Sequence, residues 1–222
     1  MGYRPITDFW ILARPKVKYY GAYPSGFLER ARALLEVTIN DPVLHVCGGK
    51  VRDYPYPRRA VGPRDGTVDI DPDTNPDWVL DVRDLGSDPK SVQPDPNVLG
   101  GVVSAHRDRP DNQWAGILID RPYTQADHEH YQAPEDAFPD NLNALLKNCL
   151  SLVKPGGRVG VLDYLCPRPP RVGVKYVAAV AVLCGFGNRI RVYSVFEREA
   201  ARPDLDAPTV NEAPTVDVED DP

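Results

Sequence analysis

What most constrains this chain is a series of short apolar runs, most of them closed by glycine or aspartate. Val43 to Cys47 (VLHVC) ends in Gly48-Gly49, Thr67 to Ile70 (TVDI) ends in Asp71-Pro72, and Trp78 to Leu80 (WVL) is followed by Asp81 and then by Asp84-Leu85-Gly86. Ala115 to Ile119 (AGILI) stops at Asp120, and Gly157 to Leu162 (GRVGVL) and Arg189 to Glu197 (RIRVYSVFE) complete the set. Short runs rich in valine and isoleucine and bounded by turn residues read as strands. Helical periodicity lies between them. Ser25 to Val37 places Phe27, Leu28, Ala31, Leu34 and Leu35 on one stripe, with Ser25 available as N-cap. Asn141 to Val153 spaces Leu142, Leu145, Leu146, Cys149, Leu150 and Val153 by threes and fours, then stops at Lys154-Pro155-Gly156-Gly157. Val174 to Cys184 is ambiguous between helix and buried strand, and its alanines and eleven residues favour a helix. Strands alternating with helices predict a single α/β domain with a mainly parallel sheet and helices on both faces.

Composition agrees with an ordinary globular core, 42% hydrophobic and 26% charged. The 24 prolines are about twice the usual share of about 5%, and predict short elements joined by stiff turns. Pro55, Pro57 and Pro63 make a long helix unfavourable in Arg52 to Arg64, and Ser87 to Pro110 is also loop-rich. The apolar run Phe9 to Ala13 is too short for a signal peptide core or a membrane span, so a cytoplasmic protein with no membrane partner is expected. Residues 200–222 carry seven carboxylates and one arginine, an excess that equals the whole net charge of −6. Without aromatic residues, 199–222 is expected to be a disordered acidic tail, a solubilising extension of a neutral body. Cys47, Cys149, Cys166 and Cys184 are too dispersed for a zinc pattern and are expected to be reduced and buried. His128 and His130 fall on different faces of a helical segment, so no metal is expected. Nothing in the sequence encodes an oligomeric state.

In an open parallel sheet, ligands bind beyond the carboxyl ends of the strands, near the point where strand order reverses. The residues predicted there are Cys47, Gly48 and Gly49, then Asp69 and Asp71, then Asp81 and Asp84, and finally Asp120-Arg121-Pro122-Tyr123. Glycines without a Cβ let backbone approach a ligand closely. An acid at the end of the second strand can accept from both hydroxyls of a ribose, with Asp71 better placed than Asp69, which lies within the strand. Asp81 or Asp84 can accept from an adenine amino group. Any one of these acids is an ordinary turn residue. Three successive strands ending in one point to a nucleoside.

These runs resemble the first three motifs of class I S-adenosylmethionine-dependent methyltransferases, and Leu152 to Gly160 (LVKPGGRVG) is similar to the helix, Pro-Gly-Gly turn and fifth strand of that family. The resemblance spans about residues 41–198. It implies a Rossmann-like methyltransferase domain there, with residues 1–40 as an N-terminal segment whose helix packs on the core. It also implies S-adenosylmethionine as cofactor, with Cys47 to Gly49 receiving the methionine part, Asp71 the ribose, and Asp81 or Asp84 the adenine. Tyr20 and Gly21, in the run before the helix, line the cofactor pocket in this picture.

Asp120-Arg121-Pro122-Tyr123 resembles the Asp-Pro-Pro-Tyr motif of amino-directed DNA methyltransferases, which act on adenine N6 or cytosine N4. The implied roles are catalytic for Asp120, Pro122 and Tyr123. A carboxylate and a neighbouring carbonyl accept the amine hydrogens so that nitrogen can attack the methyl in line, while tyrosine stacks on the extruded base. DNA is therefore the favoured nucleic-acid partner, contacted by Arg121, Tyr123, Arg58 and Arg59, with Arg64, Arg107, Arg109, Arg168, Arg171 and Lys175 as further cations. The sequence departs from the pattern where Arg121 replaces the first proline and where His45 replaces an acid. The alternatives are methyl transfer to RNA, protein or a small molecule, and a silent cofactor-binding scaffold.

Overall fold

Alternation within the strands decides the two faces of the sheet. In the computed structural model, which describes residues 4–15, 17, 22–54, 61–85, 114–122, 141–185 and 189–200, eight strands form one sheet. They are β1 (Ile6–Leu12), β2 (Val43–Val46), β3 (Gly66–Asp69), β4 (Trp78–Val79), β5 (Trp114–Ile119), β6 (Val153–Asp163), β7 (Val174–Cys184) and β8 (Arg191–Arg198). Helices α1 (Phe27–Leu35) and α2 (Leu142–Leu152) cover opposite faces. Leu118 of β5 and Leu162 of β6 meet Phe27, Leu28, Ala31 and Leu35 of α1. Their neighbours Ile117, Ile119, Val159 and Val161 meet Leu145, Leu146, Cys149 and Leu150 of α2. Adjacent residues on one strand thus serve two cores, as period-2 geometry requires.

The order across the sheet is β1-β7-β8-β6-β5-β2-β3-β4. All pairings are parallel except the two made by β8. This is the expected Rossmann-like, mainly parallel architecture in a single domain. The chain runs outward from β2 through β3 to β4, then returns to place β5 on the other side of β2, so strand order reverses between β2 and β5. Among the described residues, no helix is long and apolar enough to cross a membrane.

Several expectations need correction. Val174 to Cys184 is strand β7, flanked by β1 and β8. A central strand with both faces covered or apolar shows no polar alternation, which is why its alanines read as helix; Ala178, Val180 and Val182 pack against the α1 side while Ala179 and Ala181 point the other way. Ile6 to Leu12 was not anticipated as a strand. It adds an edge to the sheet through Trp10 and Leu12, so residues 1–40 contribute more than a helix. Ser25 does not cap α1: the N-cap is Gly26, at φ 80°, and the Ser25 amide instead donates to the Ala13 carbonyl. Asn141 does cap α2, its side chain accepting from the Ala144 amide at 3.0 Å. Among the four free thiols, Cys149 and Cys184 are buried as expected, whereas Cys47 is half-buried and Cys166 exposed. Residues 201–222 of the expected tail, and the segment with His128 and His130, lie outside the described residues.

Candidate functional site

Three strand tips are tied together at the point of reversal. The Asp120 amide, just past β5, donates to the Val46 carbonyl of β2 at 3.2 Å, and the Gly48 amide donates to the Val68 carbonyl of β3 at 3.3 Å. Cys47 and Gly49 hold φ values of 55° and 49°, the left-handed turn that lets the chain leave β2 sharply. A Cβ on Gly48 would stand 3.0 Å from the His45 Cβ, so this position has room only for glycine or a small shift. A Cβ on Gly49 would meet nothing within 4 Å, which leaves open space over the loop.

Asp69 braces this loop. Its carboxylate accepts from the Gly49 amide at 2.8 Å and from the Asp71 amide at 3.1 Å. Burial pushes the Asp69 carboxyl above its usual range, the charge of Asp71 adds to this, and the backbone amides of Asp71, Gly49 and Ile70 oppose it. The half-buried Asp71 turns into a short 3₁₀ segment, where its carboxylate accepts from the Asp73 amide at 2.9 Å. Asp81 is engaged by Arg83, whose Nε lies 2.9 Å from Oδ2, and the exposed Asp84 follows in the same turn. Cys47 lies among the tips. Burial first, then the charges of Asp69 and Asp120, hold its thiol well above the ordinary range.

Arg121 does not reach outward. Its side chain is 4% exposed, and its Nε donates to Asp163 Oδ2 at 2.9 Å. Burial raises the Asp163 carboxyl, while the charge of Arg121 and the amide of Leu165 pull it down. Asp163 was not singled out from the sequence, although the same strand-end reasoning applies to it directly after GRVGVL. Pro122 is half-buried beside this pair. Tyr123, Tyr20, Gly21, Arg58, Arg59, Arg107 and Arg109 lie outside the described residues.

Two of the expected surface cations belong to the other end of the sheet. Arg64 donates to the Asn40 carbonyl, ahead of β2, and Lys175 sits at the start of β7 opposite Glu197. Arg168 remains close to the first turn of α2, where its amide donates to Asn143 Oδ1 at 2.7 Å. The structure therefore brings together Cys47 to Gly49, Asp69, Asp71 and Asp120, with Arg121 directed inward.

His45 belongs to a separate buried cluster. Its Nε2 lies 3.2 Å from Asp65 Oδ2, and the same carboxylate pairs with Arg32 of α1 and accepts from the amides of Gly62 and Val43. Burial would raise the Asp65 carboxyl, but His45 and Arg32 overcome it and hold it below the usual range. His45, where the resemblance implies an acid, thus faces the carboxylate of Asp65, which stands just before β3.

No protein-family model matches this chain, and no curated relative matches it. Solved structures similar in chain path include TrmN from Thermus thermophilus, at 18% identity and a TM-score of 0.43, covering 81% of this chain and 50% of that one. The chain thus spans half the length of that protein. The rRNA methyltransferase aviRa from Streptomyces viridochromogenes is 13% identical, with a TM-score of 0.42 and coverage of 82% and 88%. An RNA methyltransferase from Salinibacter ruber in complex with S-adenosyl-L-homocysteine is 12% identical, with a TM-score of 0.39 and coverage of 82% and 97%. The chemistry proposed for this chain rests on its own residues.

Proposed function

We propose that this protein transfers a methyl group from S-adenosylmethionine to an exocyclic amine of a nucleobase, adenine N6 in DNA being the acceptor that the Asp120-Arg121-Pro122-Tyr123 run favours. The observation that carries this reading is the convergence of the Cys47 to Gly49 loop, Asp69 with Asp71, and Asp120 at the reversal between β2 and β5. Such a crevice is where a nucleoside ligand sits in an open parallel sheet. Its electrostatics suit a cation: Asp69 and Asp120 both act on Cys47 more strongly than Arg121, whose guanidinium is ion-paired with Asp163. When bound there, S-adenosylmethionine supplies a sulfonium methyl as electrophile.

Within this reading the Gly48-Gly49 backbone admits the methionine part, and Asp71 accepts from the ribose hydroxyls. Asp69 keeps the loop in shape. Asp81 or Asp84 accepts from the adenine amine of the cofactor, and Tyr20 and Gly21 belong to its rim. Asp120 accepts one hydrogen of the target amine and the Arg121 carbonyl the other, which frees the nitrogen lone pair from the ring for in-line attack. Pro122 stiffens the turn, and Tyr123 stacks on the extruded base, a contact worth about 1 to 3 kcal/mol.

Two measurements test it. Calorimetry should show S-adenosylhomocysteine binding that is lost when Gly49 is replaced by valine. Radiolabelled methyl transfer to unmethylated DNA and, in parallel, to RNA should yield labelled N6-methyladenine from one of them on nucleoside analysis. Label in RNA alone would move the acceptor while keeping the chemistry. Binding with no transfer to either would leave a protein or small-molecule acceptor or the silent cofactor-binding scaffold, and no binding would end every one of these readings.

A further inference from the structure

The departure at Arg121 is a built feature of the fold. Resting on the function proposed above, we propose that Asp163 is a positioning residue: through its buried ion pair with Arg121 it fixes the peptide that presents the amine acceptors, in place of a rigid proline ring.

The placement follows from register. Ile119 of β5 lies opposite Val161 of β6, so two residues further on Arg121 stands beside Asp163. Asp163 is itself held from three sides. It pairs with Val192 of β8, its Oδ1 accepts from the Leu165 amide at 3.0 Å, and its Oδ2 takes Arg121 Nε at 2.9 Å. The two side chains are 4% and 1% exposed, so both charges have been removed from water. Burying such a pair seldom adds stability over apolar residues of the same volume. What it does supply is orientation. A free arginine explores many rotamers, whereas one bound through Nε and enclosed in protein holds its own backbone in one attitude. The backbone so held is the link between Asp120, whose amide is tied to Val46, and Pro122. Asp120 and the Arg121 carbonyl then meet the amine with fixed geometry, where a misplacement of about 1 Å can cost about a hundredfold in rate.

The test uses the full chain with three variants and three readouts: methyl-transfer kinetics, calorimetric S-adenosylhomocysteine affinity, and hydrogen exchange at the Asp120 amide. Asp163→Asn keeps the shape and an acceptor for Leu165 but removes the charge. It should lower kcat about tenfold to a hundredfold, leave cofactor affinity unchanged, and speed exchange at Asp120. Arg121→Pro restores the ring but leaves Asp163 buried without its cation, and should fail as badly. Combining Arg121→Pro with Asp163→Asn should recover kcat and slow exchange again. Unchanged exchange and kcat in Asp163→Asn overturn the proposal, as does lowered thermal stability with kcat per folded enzyme intact. A native protein with no methyl transfer to DNA or RNA would end the functional reading alone; the exchange at Asp120 would still decide whether Asp163 holds the tip.

Discussion

The two ends of β3 carry two carboxylates with opposite surroundings, Asp65 buried and Asp69 half-buried. Asp65, before the strand, faces Arg32 and His45 as well as two backbone amides, and its carboxyl is held low. Asp69, at the other end, is met by backbone amides alone, stands near Asp71 and Cys47, and its carboxyl is pushed up. The first is a carboxylate supplied with a guanidinium and further donors, which is how a buried charge becomes compatible with folding. The second is a half-buried carboxylate held by backbone amides beside a second carboxylate, at the switch point. Carboxylates with raised pKa cluster at functional sites, which agrees with the function proposed for this end.

The largest effect should come from Asp65. Replacement by alanine strands Arg32 and His45 without their shared acceptor, and should cost about 3 to 5 kcal/mol in urea unfolding. Asp69→Ala removes only the acceptor of two amides, so about 1 to 3 kcal/mol is expected, with cofactor binding abolished. If Asp69→Ala proved the more destabilising and still bound S-adenosylhomocysteine, the contrast between the two ends would collapse. Asp120→Ala belongs with the ligand end. It should lower methyl transfer about a hundredfold or more with cofactor affinity and stability near native values; intact transfer would remove Asp120 from the chemistry.

Acid titration separates the two ends by sign. Asp65 has a folded pKa below its ordinary 3.8, so its contribution is complete above that value and is lost as pH falls through the folded one. Asp69 has a folded pKa above 3.8, so its contribution is complete below that value and is lost as pH rises through the folded one. The lead in stability of the native protein over Asp65→Asn should therefore grow with rising pH, while its lead over Asp69→Asn should shrink. Denaturant melts across the acid range read both slopes, and equal slopes would show that Arg32 and His45 do not distinguish the two carboxylates.

How far the sequence discloses each end depends on what kind of interaction builds it. The proposed ligand end is local: a glycine pair after one apolar run and acids after the next two are visible in any reading of Cys47 to Asp84, and the tip of β5 adds Asp120. The stabilising end is not local. Arg32 sits on α1, His45 within β2 and Asp65 before β3, and only the pairing of β2 with β3 brings them together. Arg121 fails to disclose itself for the same reason, its partner lying 42 residues away on β6. The misreading of β7 has a different cause. Alanine favours a helix in isolation, yet Val174 to Cys184 is fixed by neighbours on both sides, and propensity yields to that pairing.

The smallest expected effect bears directly on whether the tips share one field. Cys47 lies between them, and after burial the charges of Asp69 and Asp120 are what raise its thiol. Alkylation at fixed pH reads the thiolate fraction, provided the exposed Cys166 is first replaced by serine. In that background Asp69→Asn removes one anion, lowers the thiol pKa and should speed modification of Cys47 by about threefold. Asp120→Asn should act in the same direction and less strongly, since Asp69 is the greater of the two influences. Rates that rise with Asp69→Asn but not with Asp120→Asn would place the β5 tip outside the hollow, and the amine acceptor would then have to be sought on another strand.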